Sequence, residues 1–157
     1  MVMEKIYTMH RRILYFTIDG DPFGKLNLRP MNVKGHASVF NPKENTDYME
    51  KVSSAVKKQL GEGSEPDPDS MFVVKVHAYF QIPKRLSKRM KMLALQNKAK
   101  PTKKQDLDSI SKVVLDGITH SQSVWKDDSQ AIEEQLRKYC SEDPCDVVVI
   151  EKKAIPE

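Results

Sequence analysis

The stretch Met71–Ile82 (MFVVKVHAYFQI) places the firmest constraint on the fold. Phe72, Val74, Val76, Ala78, Phe80 and Ile82 are apolar at alternate positions, while Lys75, His77 and Gln81 fall between them. Successive strand side chains point to opposite faces, so this period of two predicts a long strand with one face buried. Pro83 stops it. Ile13–Asp19 (ILYFTID), rich in β-branched and aromatic residues and followed by Gly20, predicts another strand. Gly20–Gly35, with three Gly, two Pro and Lys25, Arg29 and Lys34, reads as a loop, and His36–Phe40 as a short strand.

From Pro42 the period becomes helical. Tyr48, Val52, Ala55, Val56 and Leu60 share a face, and Gly61 and Gly63 end the helix. Residues 61–70 form a turn region. Ser87 is placed to cap a short basic helix over Lys88–Asn97. A connector containing Pro101 leads to a helix over Asp106–Ile118, with Leu107, Ile110, Val114 and Ile118 on one face. Its β-branched residues are poor helix formers, so tertiary packing must hold it. Ser129–Tyr139 and Asp146–Lys152 read as strands joined at Asp143-Pro144, and are expected to pair as an antiparallel hairpin. The expected fold is α+β: a single domain with a small, mixed, mostly antiparallel sheet packed with two to three helices. Residues 13–152 form that domain, 1–12 a flexible N-terminal arm and 153–157 a C-terminal tail.

The 157 residues suit one domain. No apolar run approaches the ~18 residues of a membrane span, and residues 1–12 lack the apolar core of a signal peptide, so the expected location is the cytoplasm. Cys140 and Cys145 have no His at a zinc-like spacing and are expected to be reduced structural thiols, with a hairpin disulfide as the alternative. His10, His36, His77 and His120 are scattered and suit no metal site.

A net charge of +4 says little until its distribution is considered. Between Lys84 and Lys104 stand nine basic residues, Lys84, Arg85, Lys88, Arg89, Lys91, Lys98, Lys100, Lys103 and Lys104, and no acid. The other 17 basic residues face all 22 acids. Positive charge concentrated in one segment is what a polyanion-binding surface requires; a solvated basic helix is the plainer alternative.

Immediately downstream come Asp106-Leu107-Asp108 and then Asp127-Asp128. Carboxylates held close repel one another and take up protons unless a cation relieves them. Mg²⁺ binds oxygen ligands, commonly one or two carboxylates with waters and substrate phosphate oxygens. Asp106 and Asp108 can both face one ion, although Asp108 can instead cap the helix. Lys112, four residues on, shares the helix face of Asp108. It either joins Asp108 and Asp116 in a solvated charge ladder or stands beside a bound phosphate to offset developing charge. Trp125 reads as a packing residue, with base stacking as the alternative. A DxD alone is a weak signal. Its combination with the basic segment, Lys112 and Asp127-Asp128 is stronger.

The run KKQDLDSISKVVLDGITHSQSVWKDDSQ, Lys103–Gln130, resembles the central signature of the RusA family of crossover junction resolvases. The match lies at Asp106, Asp108, Lys112, Leu115-Asp116, Trp125 and Asp127-Asp128-Ser129-Gln130, and extends more loosely over 13–152, including Ile82-Pro83-Lys84. The resemblance implies a dimeric, Mg²⁺-dependent endodeoxyribonuclease that resolves Holliday junctions in recombination and repair, of a kind frequently carried by prophages. It assigns Asp106, Asp108 and Asp128 as metal-binding carboxylates, Lys112 as the catalytic lysine, and Asp127 as support. Two departures stand out. Ser109 replaces the usual Asn, and Lys25-Leu26-Asn27-Leu28-Arg29-Pro30 is less basic than its counterpart, which tells against DNA contact by that loop.

The implied chemistry is phosphodiester hydrolysis by a water activated at Mg²⁺. Lys84, Arg85, Lys88, Arg89, Lys91, Lys103 and Lys104 would neutralise phosphates, giving salt-dependent binding to branched DNA, and a two-fold homodimer would match the symmetry of a four-way junction. The competing readings are a catalytically inactive branched-DNA-binding protein and a metal-dependent phosphatase or glycosyltransferase acting on small molecules.

Overall fold

The computed structural model describes residues 13–61, 63–102 and 105–153. In chain order they form β1 (Ile13–Asp19), β2 (Arg29–Val33), β3 (His36–Phe40), α1 (Lys43–Leu60), β4 (Met71–Gln81), α2 (Lys88–Leu95), α3 (Leu107–Ser121), a 3-10 turn (Asp128–Gln130), β5 (Ala131–Ser141) and β6 (Cys145–Lys153). The fold is α+β. A four-stranded sheet has the order β1-β6-β4-β5, and β2 and β3 pair separately. The expected arm 1–12 and the tail beyond residue 153 lie outside the described residues. No helix among those described is long and apolar enough to cross a membrane.

One face of the sheet carries the core. Leu14, Phe16 and Ile18 of β1, Val74, Val76, Ala78 and Phe80 of β4, and Val148 and Ile150 of β6 are buried. Tyr48, Val52 and Val56 of α1 and Ile110, Val113, Val114 and Ile118 of α3 complete the same cluster. The β4 alternation thus marks the core face, as the sequence predicted. Leu60, placed on the core face of α1 by periodicity, is exposed. α1 and α3 approach closely at Gly117, where a Cβ would lie 2.5 Å from the Cβ of Val52. Steric exclusion of any larger residue there allows α3 to settle against α1. Asp146 is fully buried within this layer and accepts a hydrogen bond from the Tyr48 hydroxyl. Burial pushes the Asp146 carboxyl up to about 6, against the opposing effect of that bond.

Two expectations are corrected. β5 and β6 do not form a hairpin. β6 lies between β1 and β4, antiparallel to both, and β5 pairs parallel with β4. The short link Glu142–Pro144 crosses the end of β4, spanning two strand spacings, about 10 Å, which lies within reach of a few extended residues. The Ile82 N–H still donates to the Ser141 carbonyl at 3.1 Å, so β5 stays with its neighbour up to the crossing. The parallel pair needs a crossover connection, and α2 and α3 supply it.

The second correction concerns residues 29–33, which form a strand rather than a loop. Lys34 and Gly35, with φ of 51° and 82°, make the tight turn that closes β2 onto β3. Pro30 disguises the strand, since proline cannot sit in a central strand; a two-stranded ribbon consists only of edges and tolerates it.

Candidate active site

α3 starts at Asp106, which adopts an extended conformation and caps the helix: its Oδ1 accepts the Ser109 backbone N–H at 2.9 Å. Asp106, not Asp108, therefore performs the capping that the sequence left open between ligand and cap for Asp108. Bonds from the Ser109 hydroxyl and N–H hold the Asp106 carboxyl below the usual carboxylate range, and the Lys138 and Lys112 ammonium groups act in the same direction. Ser109 thus favours the ionised form of Asp106.

Asp108 is released from capping and pairs with Lys112 at 3.1 Å. Both side chains are mostly exposed, so the pair stabilises the helix by less than ~1 kcal/mol. Its significance is positional: two carboxylates and an ammonium stand together at one helix end. β5 runs alongside α3. Ser111 Oγ donates to Glu134 at 2.6 Å, and Lys138, on the same face of β5, lies within the field of Asp106. The sequence reading missed Lys138. Its only signal was its place in the strand alternation, two residues from Leu136 and four from Glu134.

The second acidic pair lies after the helix, at the 3-10 turn. Asp127 caps the 3-10 turn, accepting the Ser129 N–H at 3.2 Å, and Gln130 closes a reciprocal cap. Gln130 also donates to the carbonyls of Asp67 and Ser70, tying the turn to the preceding loop. Bonds from Ser129 hold the Asp127 carboxyl low. Asp128 is exposed, and its carboxylate accepts no hydrogen bond among the described residues. Both aspartates line a shallow depression with Met49, Asp116, Thr119, His120 and Gln122. Asp116 is engaged by Lys25 at 2.6 Å, another contact that the sequence did not reveal, across 91 positions. Trp125 is fully buried, donates to Thr119 Oγ1 at 2.7 Å and meets Phe72 edge-on, which makes it a packing residue.

Asp106, Asp108 and Lys112 thus stand in the cap and first turns of α3, while Asp128, on the 3-10 turn, lines a depression with Asp116, Thr119 and His120. Asp116, which shares Asp128's depression, is eight residues beyond Asp108, or about 12 Å of helix. Among the described residues, no group of three or more His, Cys, Asp or Glu side chains is arranged to hold a metal ion. A cage of three carboxylates from one chain therefore does not fit. The oxygen-only pair Asp106 and Asp108 does fit the one or two carboxylates that Mg²⁺ ordinarily takes from protein.

The basic residues lie on the segment that follows β4 and on α2. Lys84 and Arg85 lie in the turn after β4. Ser87 caps α2, accepting the Met90 N–H at 3.2 Å, and α2 presents Lys88, Arg89 and Lys91. None of these five cations forms an ion pair among the described residues. α2 packs against β5, the strand that carries Lys138. Lys100 sits 4.0 Å over the Tyr139 ring. Lys103 and Lys104 lie outside the described residues. Cys140 and Cys145 are free thiols, their ionisation disfavoured by burial.

The chain is similar to known proteins over most of its length. The family model described as endodeoxyribonuclease RusA matches residues 19–151. A Bacillus subtilis (strain 168) protein, named uncharacterized protein YqaN, is 29% identical over 131 residues, covering 82% of this chain and 89% of its own.

Proposed function

The chain belongs to the RusA family of endodeoxyribonucleases, and on that premise we propose that it cuts branched DNA, four-way junctions above all, with Mg²⁺ as cofactor. The observation that carries this reading is the meeting of Asp106, Asp108 and Lys112 at the start of α3, near a turn and a helix rich in unpaired cations. Asp106 and Asp108 would hold the ion, which when bound supplies an acidified water and a counter-charge for the phosphate.

The chain's own groups divide the remaining work. Ser109 favours the ionised form of Asp106 and holds its carboxylate toward the helix end. The Lys112 ammonium, now resting on Asp108, is placed to offset charge on the scissile phosphate. Lys84, Arg85, Lys88, Arg89 and Lys91, with Lys103 and Lys104 next to them in sequence, would bind backbone phosphates along an arm; such contacts position the DNA without reading its bases. Asp128, the third acid of the family signature, keeps a carboxylate unengaged among the described residues on a turn fixed by Asp127 and Gln130, where it would add negative charge for a cation rather than join the Asp106–Asp108 pair. A homodimer acting in the cytoplasm would set two such sites on the two symmetry-related strands of a junction.

The test is nicking of a synthetic four-way junction with and without Mg²⁺. Mg²⁺-dependent, paired nicks that are lost in Asp106→Asn support the reading. Tight junction binding without cleavage in any divalent cation would favour the inactive binding protein instead.

A further inference from the structure

Among the described residues, the β2–β3 ribbon is the one element whose every strand residue is exposed. Its register pairs Arg29 with Phe40, Met31 with Ser38, and Val33 with His36, which puts these six side chains on one face. Met31, Val33 and Phe40 are 40%, 45% and 41% exposed, an apolar strip open to solvent. Arg29 stands at one end of the strip and the Lys34 turn at the other. From Pro22 to Lys43 the chain has four cations, Lys25, Arg29, Lys34 and Lys43, and no acid. An isolated two-stranded ribbon is only marginally stable in water, and contiguous exposed apolar surface marks an interaction site. Lys25 is taken up by Asp116, but Arg29 and Lys34 on the ribbon suit a polyanion, and the apolar strip suits one that offers more than phosphate.

The turn adds an independent indication. With φ positive at both central residues it suits Asn-Gly, yet Lys34 occupies the first position at φ 51°. A side chain kept at some backbone cost, at the outermost point of an acid-free ribbon, is explained by its charge.

We infer that this ribbon is the element that tells a branch point from plain duplex: Arg29 and Lys34 hold phosphates, and Met31, Val33 and Phe40 lie against bases exposed at the crossover. A two-stranded ribbon fits a DNA groove, and apolar side chains wedge between base steps at the cost of unstacking them. In continuous duplex that cost opposes binding. At a four-way junction the stack is already interrupted, so the same apolar face binds there at less cost. This deepens the proposed function and rests on it, and it gives DNA contact to the loop whose diluted basic pattern told against it.

The full-length protein is titrated with a four-way junction carrying 2-aminopurine at the branch point, and with linear duplex of the same arms. Wild type is expected to raise the fluorescence of the junction alone. Met31→Thr/Val33→Thr keeps strand-forming residues and is expected to abolish that rise and to lower the junction-over-duplex preference about tenfold, with duplex affinity unchanged. Lys34→Asn gives the ribbon a better turn, so it cannot act by unfolding it; junction affinity is expected to fall about tenfold near 0.1 M salt, with a salt slope smaller by about 1. Wild-type fluorescence and preference in both variants, in a protein that still cuts junctions, would overturn the inference and leave the proposed function standing. The inference also fails if the variants change sedimentation mass but not junction preference, since the ribbon would then be a chain-to-chain arm. A wild type that neither binds nor cuts the junction overturns both.

Discussion

The backbone N–H of Ser109 donates to Oδ1 of Asp106 at 2.9 Å, so the first aspartate of the candidate site is also the residue that starts its helix. The two duties can be separated experimentally. Asn is as good an N-cap as Asp, so Asp106→Asn is expected to keep the wild-type melting temperature. Cleavage is expected to drop at least about hundredfold, since outer-shell changes alone cost up to that much at metal sites. Thermal melts and junction nicking on one preparation check both. A large fall in melting temperature would mean that the acid serves the fold alone.

Ser109 also sets a pH dependence. Its hydroxyl and N–H lower the Asp106 pKa, so the acid limb of the cleavage profile lies below the ordinary carboxylate range. Ser109→Ala removes the hydroxyl. The Asp106 pKa should rise, and activity should be lost at a higher pH on acidification than in wild type. The alkaline side is expected to be unchanged. Single-turnover cleavage measured across the acid range, starting well below the ordinary Asp pKa of about 3.9, reads the shift; an acid limb that stays in place would count against Asp106 as the group titrating there.

Lys112 and the cations of α2 should fail in different ways. Lys112→Met removes a charge beside the carboxylates, and cleavage by saturating protein is expected to fall roughly hundredfold with little change in junction affinity. Lys88→Gln/Arg89→Gln removes two phosphate contacts, and the slope of log affinity against log salt should become smaller by about 2 while saturated cleavage persists. Salt titrations paired with single-turnover rates distinguish the two. Equal loss of affinity and rate in both variants would show one undifferentiated basic surface.

Much of this was legible in the sequence because it is local. The β4 alternation, the α1 and α3 faces, the Ser87 cap and the Asp-x-Asp–Lys spacing are all set within a turn or two of chain. What was not legible depends on long-range placement. Nothing in β5 or β6 records that β4 separates them, since two strands joined by a short link ordinarily pair with each other. Pro30 and the low apolar content hid β2, whose partner strand and turn supply what its own residues lack. The engagement of Asp116 by Lys25 and the position of Lys138 beside Asp106 exist only once α3 is laid along β5 and the loop after β1 crosses it. The shared motif suggested three converging aspartates; among the described residues no group of three such acids is arranged to hold a metal ion, and Asp128 instead lines a depression with Asp116.

Asp146 provides a prediction about stability that is independent of the site. It is buried with Tyr48 as donor to one oxygen, while its Oδ1 has no hydrogen-bond partner among the described residues. Desolvation raises its pKa from 3.8 to about 6, and the Tyr48 bond offsets only part of the rise. The folded state therefore binds a proton that the unfolded state releases between these values, and this residue's contribution falls as pH climbs from about 4 to about 6. A shift of about two pKa units corresponds to roughly 3 kcal/mol. Asp146→Asn keeps an acceptor for Tyr48 and carries no charge to desolvate. It is expected to match wild type near pH 4 and to exceed it increasingly toward pH 7, by up to about 3 kcal/mol. Urea unfolding midpoints of the two proteins across that range give the difference directly. A gap that stays constant, or closes as pH rises, would mean that the carboxylate is ionised and satisfied in the folded core.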